Sequence, residues 1–318
     1  MYNKIVKENN PLYFWIVGLF LVIGWLPLLF IEHPATITIN IELFKNVLPA
    51  WNLSFHLSLL ISFISVLTAS LLLIQTSKNF NGIFGILLPS FIFVLFTNIY
   101  VLFNFNLVIF LVSPFFVFII YLLYRIFEGD NVYPLIFYIG FINGVLTMFY
   151  FPCIIILCIS LLGLIFFKSF NIKELIFLCL SFIVPYIFVD VYMYVFQNKH
   201  IFSLVNTLSM DNYSQFLQSY FILFIVFVFS LFSLNGNAKR NMLKKIRNRK
   251  YYYWLIISQI ILWAGMLSIL KISILIFILV LFSISLANAI ASVKKELYSK
   301  LLLVCLLLLN AVSVILAI

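Results

Sequence analysis

The sequence predicts an all-α fold, a polytopic transmembrane helical bundle of about eleven spans, with the N-terminus cytoplasmic and the C-terminus periplasmic. Three observations carry that expectation. First, residues 79–124, between Lys78 and Arg125, run 46 positions without one Asp, Glu, Lys or Arg. A central charge costs a span roughly 3 kcal/mol to insert, so such a gap marks a hydrocarbon environment. Its length suits two spans of roughly 20 residues. Second, the 318-residue chain is 65% hydrophobic and 9% charged, with a mean hydropathy of +1.22. Third, the basic residues sort to one side once the spans are drawn.

Apolar runs broken by charges, prolines and asparagine clusters give the spans in order. They are Leu12–Ile31, Leu53–Thr76, Gly82–Phe96, Phe105–Tyr124, Val132–Phe149, Pro152–Phe167, Leu175–Phe196, Phe216–Ser233, Tyr251–Leu270, Ile272–Ser292 and Leu301–Ile318. The first apolar run lacks a small-x-small cleavage site, so it reads as a retained helix. The break at Tyr150–Pro152 is either a turn or a kink, because proline disfavours helical geometry in the residue before it. With the N-terminus inside, sixteen of the nineteen Lys and Arg fall in cytoplasmic segments, and only Lys45, Lys199 and Lys271 face outward. That asymmetry follows the bias that basic loops impose on orientation.

No loop approaches the roughly 50 residues that a soluble domain needs. Residues 1–318 therefore read as one membrane domain. Residues 1–234 form a main bundle of about eight helices, 235–250 a basic cytoplasmic loop, and 251–318 three C-terminal helices. The loop holds Lys239, Arg240, Lys244, Lys245, Arg247, Arg249 and Lys250, followed by Tyr251-Tyr252-Tyr253-Trp254. It reads as a topology anchor with an aromatic belt, able to meet anionic lipid headgroups or an acidic partner. The net charge of +10 thus needs no nucleic acid.

Cys153, Cys158, Cys179 and Cys305 lie inside spans without CxxC or zinc spacing, and read as buried apolar thiols. The 10 glycines make small-xxx-small helix packing sparse, leaving Phe and Leu to fill the interfaces. The chain has no GxxxxGK[ST] loop, no HExxH and no GxSxG, which argues against ATP hydrolysis and ordinary hydrolase chemistry.

The unusual polar residues collect on the outward side. Glu32 and His33 end the first span, Glu42 lies in the first outward loop, and His56 is one turn into the second span. Residues 41–48 place Leu43, Phe44, Val47 and Leu48 on one helical face, as in an interfacial helix. Asp190 is the sharpest residue. An intramembrane carboxylate is a functional candidate by default, and Tyr186 and Tyr194 stand one turn to either side on the same face. Glu32, Glu42 and Asp190 are the candidate catalytic groups, with His33, His56, Tyr186 and Tyr194 as substrate-binding candidates. Carboxylates and imidazole at one depth could act as a base or hold a divalent cation, but no spacing motif names a metal or a cofactor.

The stretch Asn98–Phe196 combines an Asn-interrupted entry, a helix ending in Tyr124-Arg125, and Gly140-Phe-Ile-Asn-Gly-Val-Leu-Thr-Met-Phe-Tyr150-Phe-Pro152. It resembles an uncharacterised family of multi-spanning inner-membrane proteins from Bacteroidota, a domain-of-unknown-function family, over about the first two-thirds of the chain. A single Arg after the fourth span departs from the basic pair of that pattern. The resemblance implies the bacterial inner membrane and no catalytic residues. Glu32, Glu42 and the amphipathic segment also resemble, more loosely, the outward loop of GT-C-fold membrane glycosyltransferases. That resemblance implies a lipid-linked sugar donor at the outer leaflet and an envelope-biogenesis role. The chain lacks the large outward C-terminal domain of many such enzymes and any Asp-x-Asp or Glu-x-Asp pair. Two other readings stay open. One is a non-enzymatic membrane subunit or scaffold of an envelope complex, bound to a membrane-protein partner. The other is a small-solute transporter using Asp190.

Overall fold

The computed structural model describes residues 12–29, 36–39, 51–79, 87–103, 105–128, 132–167, 171–197, 250–251, 253–263 and 275–292. They are almost entirely helical. The helices are α1 (Leu12–Trp25), α2 (Phe55–Asn79), α3 (Leu88–Phe103), α4 (Leu107–Glu128), α5 (Val132–Phe149), α6 (Ile154–Phe167), α7 (Ile172–Gln197), α8 (Tyr253–Trp263) and α9 (Leu275–Ser292). Four of these, α2, α4, α5 and α7, are long and apolar enough to cross a membrane. α3, α6, α8 and the Ile276–Ala287 stretch of α9 are apolar but shorter. Several such helices in one chain are those of a membrane protein.

Local chemistry explains where the helices start. Pro89 sits in the first turn of α3, where a missing N–H costs nothing. Asn106 caps α4, its Oδ1 accepting from the Val108 N–H at 3.1 Å. Asn171 caps α7 through the Lys173 N–H at 3.1 Å, and Glu174 completes the first turn of that helix. Inside α2, Ser58, Ser65, Thr68, Ser70, Thr76 and Ser77 each donate to a carbonyl three or four residues back. Without water, that is the local way to satisfy a hydroxyl.

α9 is the buried centre of one half of the bundle. Every side chain from Ile276 to Ala287 is buried, as expected of a helix that is apolar all round. Phe277 meets Phe116 of α4 at 5.1 Å between ring centroids, and Phe282 meets Phe96 of α3 at 5.3 Å. α2 packs along α4, and α1 lies across α2 and α3.

The other half is built from α5, α6 and α7. The chain reverses between α5 and α6. Tyr150 is extended (φ −149°, ψ 102°), and a 3-10 turn follows at Phe151–Cys153. Asn143 Nδ2 then donates to Ser160 Oγ at 3.1 Å. In one continuous helix those residues, 17 apart, would be separated by about 25 Å. The Tyr150–Pro152 break is therefore a turn and not a kink. α7 returns parallel to α5. Gly140 lies against Leu178 and Ser181, Gly144 against Phe182 and Pro185, and Thr147 against Tyr186, so both sequences advance together. α8 runs antiparallel to α6, with Tyr251 stacked on Phe167 and the Trp254 indole donating to the Ile159 carbonyl at 3.1 Å.

Several expectations need correction. A two-stranded antiparallel sheet joins β1 (Thr36–Ile39) to β2 (Trp51–Ser54), pairing Thr36 with Ser54 and Ile39 with Trp51. Among the described residues the fold is thus helical with one β-hairpin, and the second helix begins after the strand instead of at Leu53. The interfacial helix expected at 41–48 lies outside the described residues. The third helix covers Leu88–Phe103 where Gly82–Phe96 was expected, because Asn98 does not break it. Its Nδ2 donates to the Phe20 carbonyl of α1 at 3.0 Å, so a polar residue taken as a boundary is an interhelical bond. Small-residue packing is also present. Gly140 and Gly144 form a small-xxx-small face, and a Cβ on Gly140 would come within 2.5 Å of Ser181 Cβ. Cys153 is buried, whereas Cys158 and Cys179 are exposed, so only one of these three follows the expected burial. Cys305 lies outside the described residues.

Candidate functional site: a polar seam beside Asp190

Glycine at 140 and 144 brings the backbones of α5 and α7 together, and the seam they form is polar at one end. Tyr186 on α7 donates its hydroxyl to Thr147 Oγ1 on α5 at 2.7 Å. Thr147 in turn donates back to the carbonyls of Gly144 and Asn143, at 2.8 and 3.0 Å. Asn143, one turn earlier on α5, reaches α6 through Ser160 Oγ, and Ser160 donates to the Ile156 carbonyl at 2.8 Å. Asn143, Thr147 and Ser160 are all 0% exposed. Three helices are thereby joined by hydrogen bonds inside an apolar packing. Such bonds average about 0.6 kcal/mol each in a membrane bundle.

Asp190 lies one turn beyond Tyr186 and is half-buried. The parallel pairing of α5 with α7 sets its level. Thr147 opposes Tyr186 and α5 ends at Phe149, so Asp190 stands level with the turn into α6. From there α7 continues to Gln197, about 10 Å beyond its partner. Most of α7 faces outward. Only 17% of its apolar window is buried, against at least 50% in the other three long helices. Ile183, Ile187, Phe188 and Val191 are all exposed on α7 within two turns of the carboxylate. Pro185, inside the helix, removes one backbone N–H at this same level.

The sequence candidates divide as follows. Tyr186 and Asp190 lie together on α7, both half-buried. Tyr194, expected on their face, is 57% exposed and turns outward instead. Four-residue steps drift around a helix of 3.6 residues per turn, so eight residues carry Tyr194 off the face of Tyr186. His56 is exposed in the first turn of α2, its ring 6.0 Å from that of Phe55. Glu32, His33, Glu42, Lys239, Arg240, Lys244, Lys245, Arg247 and Arg249 lie outside the described residues. Lys250 is exposed. Of the aromatic run after it, Tyr253 faces outward but Tyr251 and Trp254 turn inward onto α6. Among the described residues no group of three His, Cys, Asp or Glu is placed to hold a metal ion.

Sequence reasoning passed over Asn143, Thr147 and Ser160. The signal for Asn143 was present, since it is the one amide in the apolar run from Val132 to Phe149 apart from the backbone itself. Thr147 and Ser160 carry no such signal, because hydroxyls in spans ordinarily bond their own helix.

No family model, curated protein or solved structure matches the chain.

Proposed function

We propose that this chain is a multi-pass protein of the bacterial inner membrane that acts on a lipid-linked substrate at the outer leaflet, in envelope biogenesis. Its most concrete form is a GT-C-like glycosyl transfer from a lipid-linked sugar. The observation that carries the reading is the half-buried Asp190 carboxylate beside the exposed apolar face of α7. A lipid-linked substrate has the same two parts, a polar head for a carboxylate and an acyl or polyprenyl chain for Ile183, Ile187 and Val191. Asp190 would serve as a base or orient a hydroxyl of the headgroup. Glu32 and Glu42 remain the partners assigned to it on sequence grounds.

The test is co-purification in mild detergent followed by lipid mass spectrometry. Wild-type protein is expected to retain a polyprenyl-linked sugar, and Asp190→Asn, of nearly equal shape, to retain about tenfold less of it. A stable protein partner with no retained lipid would favour the scaffold reading and overturn this one.

The orientation that the proposal needs is tested separately. With eleven spans, reporter fusions after Lys250 should read cytoplasmic, and fusions after Lys199 periplasmic. The turn between α5 and α6 supports that parity, because a kink there would reverse every later segment. A periplasmic signal after Lys250 would place Asp190 on the wrong side and end the outer-leaflet reading.

A further inference from the structure

Two of the long helices carry a proline in their interior, Pro114 in α4 and Pro185 in α7. Each proline deprives the carbonyl four residues earlier of its helical N–H, and each is a place where a helix can bend. In α4 the loss is made good locally. Ser113 Oγ donates at 2.8 Å to the Phe110 carbonyl, the group that Pro114 deprives. In α7 the deprived carbonyl is that of Ser181, and the residue before the proline is Val184, which has no hydroxyl to give. Packing differs in the same sense, since α4 is mostly buried and α7 mostly not.

The two sides of Pro185 are held unequally. Before it, Glu174, Leu178 and Ser181 are buried, and the Gly140 and Gly144 face of α5 lies against Leu178, Ser181, Phe182 and Pro185 itself. After it, from Tyr186 to Val195, Met193 is the one buried side chain. An unbranched methionine adapts its rotamer, so it fixes a backbone loosely. The Tyr186–Thr147 bond crosses to α5 at the first residue past the proline.

We propose that α7 is hinged at Pro185, and that the Tyr186–Thr147 bond latches its outer segment against α5. Asp190 rides on that segment, about 7.5 Å along the axis from the hinge. A bend of about 20° there moves it by about 3 Å. That distance separates a made hydrogen bond from a missed one. The device goes beyond the proposed function and operates whatever Asp190 binds.

The experiment measures distances between two spin labels by pulsed electron paramagnetic resonance, on the full-length protein in lipid nanodiscs. One label sits on the exposed Cys158 of α6. The second sits past the hinge on Val195→Cys or before it on the exposed Cys179, with the other cysteines replaced by alanine. With the hinge intact, the pair to position 195 is expected to show a main distance and a minor one, displaced by up to about 5 Å for a bend of about 20°. Tyr186→Phe should raise the minor population about threefold, the weight of one interhelical bond in a membrane bundle. Pro185→Ala, which restores the helical N–H, should remove the minor distance both alone and together with Tyr186→Phe. The Cys158–Cys179 pair should keep one distance throughout. A single distance to position 195 in Tyr186→Phe overturns the proposal. So does a minor distance that survives Pro185→Ala, or an equal redistribution of the Cys158–Cys179 pair, which would mean that α7 moves as a whole. If Tyr186→Phe does not accumulate, Thr147→Val removes the same bond from the α5 side and is read against the same outcomes. Lipid retention plays no part in the readout, so failure of the proposed function leaves the hinge standing.

Discussion

Replacing Gly144 with leucine is expected to separate α5 from α7 and deplete the folded protein. A Cβ at this position would collide with the Phe182 carbonyl oxygen and approach Pro185 Cγ at 2.9 Å. One obstacle is backbone and the other a ring, so neither yields by changing rotamer. Overpacking of this kind costs about 1–3 kcal/mol even where side chains can adjust, and a backbone collision belongs at the upper end. The loss also reaches the hydrogen bond one turn on. Thr147 stands three residues past Gly144, and a wider helix separation draws it away from Tyr186. Thermal unfolding in detergent, monitored by size-exclusion profile, should show a large fall for Gly144→Leu. Gly18→Leu is the control, since nothing lies within 4 Å of a Cβ there. A wild-type melting temperature for Gly144→Leu would mean that α5 and α7 do not touch along this face.

Trp254→Ala is expected to have an effect of similar size at the other interface. The indole is 0% exposed, lies 5.1 Å from the Phe167 ring, and donates to Ile159. Truncating a buried tryptophan costs about 3–5 kcal/mol through lost contacts and the cavity left behind. Trp254→Phe keeps most of the apolar contact and should cost about 1 kcal/mol, the worth of the indole donor. The same melting assay separates the two variants. Equal effects would mean that the hydrogen bond and not the packing holds α8 to α6.

Much of the helical plan was legible because hydropathy alone marks a span. Val132–Phe149 matches α5 at both ends, and the second, fourth, sixth and seventh spans each cover most of the helix found there, whereas the third shares only residues 88–96 with its helix. The misses have a common cause. Asn98 reads as a break in a hydrophobic run and Asn143 passes without notice, but both are bonded across helices, and pairing between distant segments is invisible to a local pattern. The glycine pair was passed over for the opposite reason. Ten glycines in the chain argue statistically against close packing, yet two at the right spacing suffice to set it. The β-hairpin escaped because its strands, Thr36–Ile39 and Trp51–Ser54, are too short to show alternation and depend on each other. Within the candidate site, Asp190 stands out in the sequence by its charge and depth. Its surroundings do not, since Thr147 and Ser160 are ordinary hydroxyls until α5, α6 and α7 are brought together.

The lengths of α6 and α7 bear on how the surrounding lipid is shaped. α6 has 14 residues and α7 has 26, or about 21 and 39 Å of helix against a hydrocarbon thickness of about 30 Å. A short helix next to a long one cannot match a flat bilayer at both ends. Lipid adapts to such a mismatch by local thinning and by tilt of the longer element. Thinning beside α6 lowers the headgroup plane toward the turn at Tyr150–Cys153, which is the level of Asp190. If α6 spans, water and polar lipid heads would then reach the carboxylate from the side, through a dimple in the membrane. A substrate anchored by its own hydrocarbon tail would arrive by lateral diffusion and need no channel through the protein.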